Sequence, residues 1–193
     1  MAPPVLIVPG LNNSGPGHWQ SLWENKYPNF RRVEQENWDF PICEEWVKRL
    51  DFHISEAKTA PLVIAHSLGC LTVAHWAKQY TRQLHGALLV APPDLENMGE
   101  RAESDFLPVP RQRLPFPSLL VASENDPWST LERSRSLAEA WGSRFVNAGP
   151  AGHINADAGF GPWPLGEHLL AEMRGFAAPD VPAPKTKGLE AIS

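Results

Sequence analysis

The segment Leu62-Val63-Ile64-Ala65-His66-Ser67-Leu68-Gly69 constrains this chain more than any other. A short apolar run passes into an apolar stretch of helical character, with no residues left over for a loop. Continuous apolar runs of this kind mark strands inside parallel sheets, where helices cover both faces. A strand that becomes a helix within one residue brings two backbones nearly into contact. The positions two before and two after the turn residue must then be small, and Ala65 and Gly69 are. The turn residue is Ser67, whose hydroxyl such a turn leaves standing free at the C-terminal edge of the sheet. This is the Gly-x-Ser-x-Gly nucleophile elbow with one departure, alanine for the first glycine. Taken alone, the same residues also read as a helix start with Ser67 as N-cap.

The downstream residues favour chemistry. Ser118 to Ala122 reads as another buried strand, ending at Ser123-Glu124-Asn125-Asp126-Pro127. Arg144 to Ala148 reads as a further strand, with Gly149-Pro150-Ala151-Gly152-His153 after it. Asp126 lies 59 residues after Ser67, and His153 lies 27 residues after Asp126, room for one helix and one strand. Serine, acid and histidine therefore fall on three loops at one edge of one sheet, in the chain order serine, acid, histidine that such elbows use. Each has a structural alternative. Asp126 before Pro127 is a helix-start signal, Glu124 is a competing acid, and His153 sits in a glycine turn.

Several segments then resemble a known group. Val8-Pro9-Gly10, Gly17-His18-Trp19-Gln20, His66-Ser67-Leu68-Gly69, Asn125-Asp126-Pro127, Gly152-His153-Ile154-Asn155 and Gly159-Phe160-Gly161-Pro162-Trp163 are similar to the small serine hydrolases related to the retinoblastoma-binding protein of the α/β-hydrolase fold. The resemblance runs from about Val5 to about Phe176. It implies nucleophile, acid and base at Ser67, Asp126 and His153, in agreement with the spacing. The Leu-x-Cys-x-Glu motif by which one member binds retinoblastoma protein is absent. The nearest match, Pro41-Ile42-Cys43-Glu44-Glu45, lacks the leucine, so that partner is not carried over.

Composition sets the outer limits. A chain of 193 residues reads as one domain, large enough to bury about 70% of its unfolded surface. Net charge is −5 with the signs interspersed, so there is no basic footprint for a nucleic acid. Two cysteines, Cys43 and Cys70, make no disulfide framework. Met1-Ala2-Pro3-Pro4 has no basic region, and the apolar run after it is too short for a signal or a membrane span. A cytoplasmic protein with no membrane partner is expected. No cofactor is implied, and no His, Cys, Asp or Glu cluster shows metal-ligand spacing.

The expected fold is α/β, of the α/β-hydrolase type: a mostly parallel sheet with helices on both faces and no cap domain. One domain spans 1–176, and 177–193, rich in proline and poor in large apolar residues, reads as a disordered tail. Strands are expected at Val5–Val8, at Phe30–Glu34 on an edge, and at Gly86–Ala91. Helices are expected over Glu44–Ile54, Thr130–Trp141 with Gly142 closing it, and Pro164–Phe176. Pro92 to Pro117 is too short for a helical cap and reads as an extended loop bordering an open site.

The loop from Pro9 to His18 has a phosphate-loop-like Gly10-x-x-x-x-Gly15 spacing but Pro16-Gly17 in place of the required Lys-Ser/Thr. It reads instead as an oxyanion loop, with Gly10 letting substrate approach and backbone N–H donors at Leu11 and Leu68. Trp19, Trp128 and Trp163 lie close in sequence to the loop, the acid and the base, and are candidate substrate contacts. The resulting expectation is a serine hydrolase of carboxylesterase type, acting on a small ester or related acyl substrate through an acyl-enzyme. Two alternatives stay open: a lyase or acyltransferase with the same triad, and a protein-binding module with a vestigial site. No protein partner can be named.

Overall fold

The structure, a computed structural model, describes residues 3–97 and 105–175. The expected tail lies outside the described residues, as does 98–104 of the proline-rich segment. In chain order the elements are β1 (Val5–Val8), α1 (Trp19–Lys26), β2 (Phe30–Arg32), α2 (Cys43–Glu56), β3 (Leu62–His66), α3 (Leu68–Gln79), β4 (Gly86–Val90), β5 (Ser118–Ala122), α4 (Leu131–Trp141), β6 (Arg144–Asn147) and α5 (Pro164–Arg174). The strands form one parallel sheet in the order β2-β1-β3-β4-β5-β6. This is the α/β-hydrolase architecture expected from the sequence.

Alternation along the strands builds two cores. Leu6, Val8, Val63, Ala65, Leu89 and Leu120 face one side, where they meet Trp46 and Leu50 of α2, Leu71 of α3 and Leu137 of α4. Val5, Ile7, Leu62, Ile64, Leu88 and Val121 face the other, against Trp19 and Trp23 of α1 and Leu169 and Met173 of α5. Because both faces are covered, the four central strands carry almost no polar side chains. The helix ends obey local chemistry. Thr130 caps α4 by accepting from the Arg133 N–H, Gly142 ends it at φ 67°, and Pro164 opens α5.

Part of the proline-rich segment corrects the sequence reading. Residues 105–117 turn their large apolar side chains inward. Phe106, Val109, Leu114 and Phe116 are buried in the core beside α2, α3 and α4. Their backbone is tied down by His75 Nε2, which donates to the Phe106 carbonyl at 2.9 Å, and by Trp141 Nε1, which donates to the Pro110 carbonyl at 2.7 Å. Apolar residues every few positions in a proline-rich run belong here to a strap that closes one face of the core.

The sheet order reverses direction at β1. The chain leaves β1 for β2 on one side and returns to β3 on the other. The loops after β1 and β3 therefore diverge and leave a crevice at their C-terminal ends, the usual ligand position in open α/β sheets. Across that crevice the elbow helix sits directly on β1. A Cβ at Gly69 would stand 2.3 Å from the Val8 carbonyl oxygen and 2.7 Å from that of Pro9. Gly69→Ala must push α3 and β1 apart. We expect a loss of about 1–3 kcal/mol, seen as a lower urea midpoint at unchanged slope; an unchanged midpoint would mean that the helix recedes freely.

Candidate active site

Ser67 is held in the backbone conformation that the elbow pattern demands, φ 54° and ψ −126°. Non-glycine residues avoid this region, so it persists only where the surroundings enforce it. The Ser67 N–H donates to the Val90 carbonyl at 2.9 Å, and the Cys70 N–H donates back to the Ser67 carbonyl at 2.9 Å. The side chain is thereby turned away from the helix, and it makes no N-cap bond.

His153 Nε2 lies 2.9 Å from Ser67 Oγ. His153 Nδ1 lies 3.0 Å from each oxygen of Asp126. A carboxylate has no proton to give, so Nδ1 carries the ring hydrogen and Nε2 is free to accept from the serine hydroxyl. The side chains of His153 and Asp126 are 10% and 3% exposed, which keeps the pair largely out of water. Such a chain can raise the nucleophilicity of the serine and hold the imidazolium that results. Of the two candidate acids, Asp126 faces the histidine. Glu124 is exposed and accepts from Asn147 Nδ2 at 2.9 Å. Asp126 also behaves as the turn-former that its position before Pro127 suggests, accepting from the Trp128 N–H at 2.9 Å.

The loop after β1 passes under Ser67. A Cβ at Gly10 would lie 2.7 Å from the Ser67 Cβ and 3.1 Å from the Leu68 nitrogen, so a side chain there would fill the space beside the Ser67 side chain. Asn12 and Asn13, at φ 62° and 64°, turn the loop, a conformation asparagine tolerates better than most residues. Among the described residues neither the Leu11 nor the Leu68 N–H donates to a protein acceptor. Leu68 is the first residue of α3, where N–H groups have no intrahelical partner.

The three tryptophans part company. Trp128 is 39% exposed, with its ring 6.3 Å from that of His153. Trp19 and Trp163 are 0% and 3% exposed, packed on each other at 4.8 Å and on Trp23. They leave no face for a substrate, because sequence proximity to the loop and the base put them beneath those segments. Trp19 acts instead as a prop, its Nε1 donating to the Ile154 carbonyl at 2.8 Å.

Other supports escaped the sequence reading. Ser123 Oγ accepts from the Ala151 N–H at 2.9 Å, and Asn125 Oδ1 accepts from the Gly152 N–H at 2.7 Å. Arg32 on β2 holds the loop after β1, donating to the Ser14 carbonyl at 3.1 Å, to Ser21 Oγ at 2.8 Å and to Asn13 Oδ1. Gln20 reaches the Ile64 carbonyl at 3.1 Å. Only the short Ser-x-Asn spacing on the acid loop hinted at any of these. Among the described residues, no group of three or more His, Cys, Asp or Glu side chains is placed to hold a metal ion. No described helix is long and apolar enough to cross a membrane.

Two further histidines pack against the site. The His18 ring lies 4.8 Å from that of His66, which lies 4.9 Å from that of His153. Burial pushes His18 down to about 4, with the charges of Arg32 and His153 adding to the effect. Burial likewise holds His66 well below the ordinary range, reinforced by His18 and His153. Both are neutral in the folded protein at neutral pH, while the unfolded chain protonates them near pH 6.5. Unfolding therefore takes up protons below that pH, and stability falls as pH drops from about 6.5 towards 4. Between pH 6.5 and 5, above the carboxylate range, we expect a loss approaching about 1.4 kcal/mol per pH unit for each histidine. Urea unfolding across that window measures it. His18→Asn, which keeps an N-cap acceptor, should make the slope shallower; a flat profile in the parent protein would mean that both rings are charged when folded.

The family model for serine hydrolases matches residues 5–172. A structure designated a YdeN-like hydrolase from Pectobacterium atrosepticum is 38% identical, with a TM-score of 0.81, over 88% of this chain and 89% of that one. The ydeN gene product of B. subtilis is 19% identical, with a TM-score of 0.73, over 88% and 97%. An esterase from Thermogutta terrifontis, 16% identical with a TM-score of 0.63 over 90% and 91%, shares the fold. A search of curated proteins gives no match. With an elbow serine at a sheet switch point and a family model matched over most of its length, the chain belongs to the serine hydrolase family.

Proposed function

We propose that the protein hydrolyses a small carboxylic ester or thioester through an acyl-enzyme on Ser67. The observation that carries this reading is the hydrogen-bonded chain from Ser67 through His153 to Asp126, set in an elbow at the switch point of the sheet. His153 Nε2 takes the hydroxyl proton as Oγ attacks the carbonyl carbon, and Asp126 stabilises the imidazolium so formed. The carbonyl oxygen, now an anion, is bound by the N–H groups of Leu11 and Leu68. His153 returns its proton to the leaving oxygen or sulfur, and water then resolves the acyl-enzyme by the same steps. Esters and thioesters are favoured over amides because their leaving groups depart more easily. Leu11 and Trp128, 48% and 39% exposed beside the nucleophile and the base, favour an apolar group on the substrate. The likeness to the retinoblastoma-binding hydrolase is part of this reading for its motifs alone. Cys43, the centre of the nearest binding-motif match, is buried and so is not offered to a partner.

Ser67→Ala should abolish both fluorophosphonate labelling and turnover of a short-chain p-nitrophenyl ester, and leave the thermal transition in place. An unaltered rate would remove Ser67 from the mechanism. Asp126→Asn should cut kcat by about 10⁴-fold through loss of the imidazole orientation, and Glu124→Gln should change it little. The reverse order would make Glu124 the acid.

Gly10→Val tests the oxyanion loop, whose donors are main-chain groups that side-chain truncation cannot remove. The added side chain would crowd the Leu68 N–H, and losing one aligned donor costs roughly 10²–10³-fold in kcat. KM should move much less, because the charge exists only in the transition state. A folded variant with normal kcat would reduce this loop to a connector.

A further inference from the structure

The loop that presents His153 is left-handed on both sides of the residue, and at Ile154 that conformation is strained. Gly152 has φ 56° and Ile154, a β-branched residue, has φ 48°. Backbone in this region holds only where contacts from outside over-determine it. Those contacts come from three other segments. Ser123 and Asn125 hold the N–H groups of Ala151 and Gly152, and Trp19 holds the carbonyl of Ile154. They grip the neighbours of His153. The main chain of His153 itself is held by His66, whose Nε2 lies 2.9 Å from the His153 carbonyl oxygen. A carbonyl only accepts, so His66 carries its proton on Nε2 and donates it.

We propose that His66 is a positioning residue for His153: its Nε2–H fixes the carbonyl of the base while the next residue, Ser67, presents the nucleophile. One strand end then sets both partners of the 2.9 Å contact between Ser67 Oγ and His153 Nε2. Its place supports the role. His66 is the last residue of β3, paired with Val90 of β4, so its backbone moves only if the sheet does. The residue is 5% exposed and its ring is wedged between His18 and His153, with Trp19 edge-on at 6.0 Å, so its own orientation is fixed. The choice of residue matters as well. A buried lysine or arginine would also donate, but it would place a permanent positive charge beside a ring that must itself become positive during the reaction. A neutral imidazole supplies the donor without that opposition. This inference rests on the reading of Ser67, His153 and Asp126 as the catalytic chain.

The experiment compares His66→Phe, which keeps a ring and loses the donor, with His66→Gln, which keeps a donor and loses the ring. Steady-state kinetics on p-nitrophenyl acetate are read with the downfield proton NMR signal of the His153–Asp126 hydrogen bond. We expect kcat for His66→Phe to fall roughly 10–100-fold, the scale of a sub-ångström to ångström misplacement, with KM nearly unchanged and the downfield signal weakened or lost. His66→Gln should recover most of kcat and the signal. If His66→Phe does not fold, His66→Met, matched in length to glutamine but without a donor, takes its place in the comparison. Normal kcat in the donorless variant, or an equal loss in both variants with the downfield signal intact, would overturn the proposal. Ser67→Ala in the same assay separates the two readings. Activity surviving in that variant sinks the catalytic chain, whereas an inactive Ser67→Ala beside a fully active His66→Phe sinks the positioning role alone.

Discussion

Backbone meets backbone where the end of β1 passes the turn at Ser67, and the rest of the site depends on that approach. Gly69 lets the first turn of α3 rest on the carbonyls of Val8 and Pro9, and Gly10 lets its loop slide beneath Ser67. Neither position has room for a single extra carbon. The gain is placement. The N-terminus of α3, with its free N–H groups, and the loop after β1 arrive on the same side of the serine. The strained φ at Ser67 is the local cost of this arrangement, carried by the sheet around it.

His153 is delivered differently. His153 sits on a loop with two left-handed residues around it, a shape that no helix or strand stabilises. Side chains from the acid loop, the elbow strand and α1 satisfy its backbone groups, so the loop is a point where three segments meet. Burying two more histidines against it is tolerable because both are neutral. The same burial makes the folded state sensitive to mild acid, so the packing that orders the site also limits the pH range in which it persists.

Aromatic residues show how far function can be read from nearness in sequence. Three tryptophans lie close in sequence to the loop after β1, to Asp126 and to His153, yet Trp19 and Trp163 are buried beneath them and Trp128 alone of the three meets solvent. The proline-rich segment shows the same thing. One stretch of it, 105–117, covers one core face, where Phe106, Val109, Leu114 and Phe116 are buried. In both cases large apolar side chains went where the most water could be excluded.

The sequence by itself determined the order of strands and most of the helices, α1 (Trp19–Lys26) excepted. Apolar runs of four or five residues, the caps at Thr130 and Gly142, and Pro164 act over a few residues, so they are visible without a fold. It also determined that serine, acid and histidine share one sheet edge, since each closes a βα unit of a parallel sheet. Tertiary structure decided what depends on direction rather than position. Asp126 and Glu124 are two residues apart on one loop, and only the path of that loop turns one towards His153 and the other towards Asn147. Which tryptophan meets solvent depends on how α1 and α5 close over the sheet. His66 gave no sign of its bond to His153, because that bond spans 87 residues and exists only once β3 and the base loop stand side by side. Local propensity acts through neighbours in sequence, whereas hydrogen bonds across a sheet edge join groups that only the completed fold brings within reach.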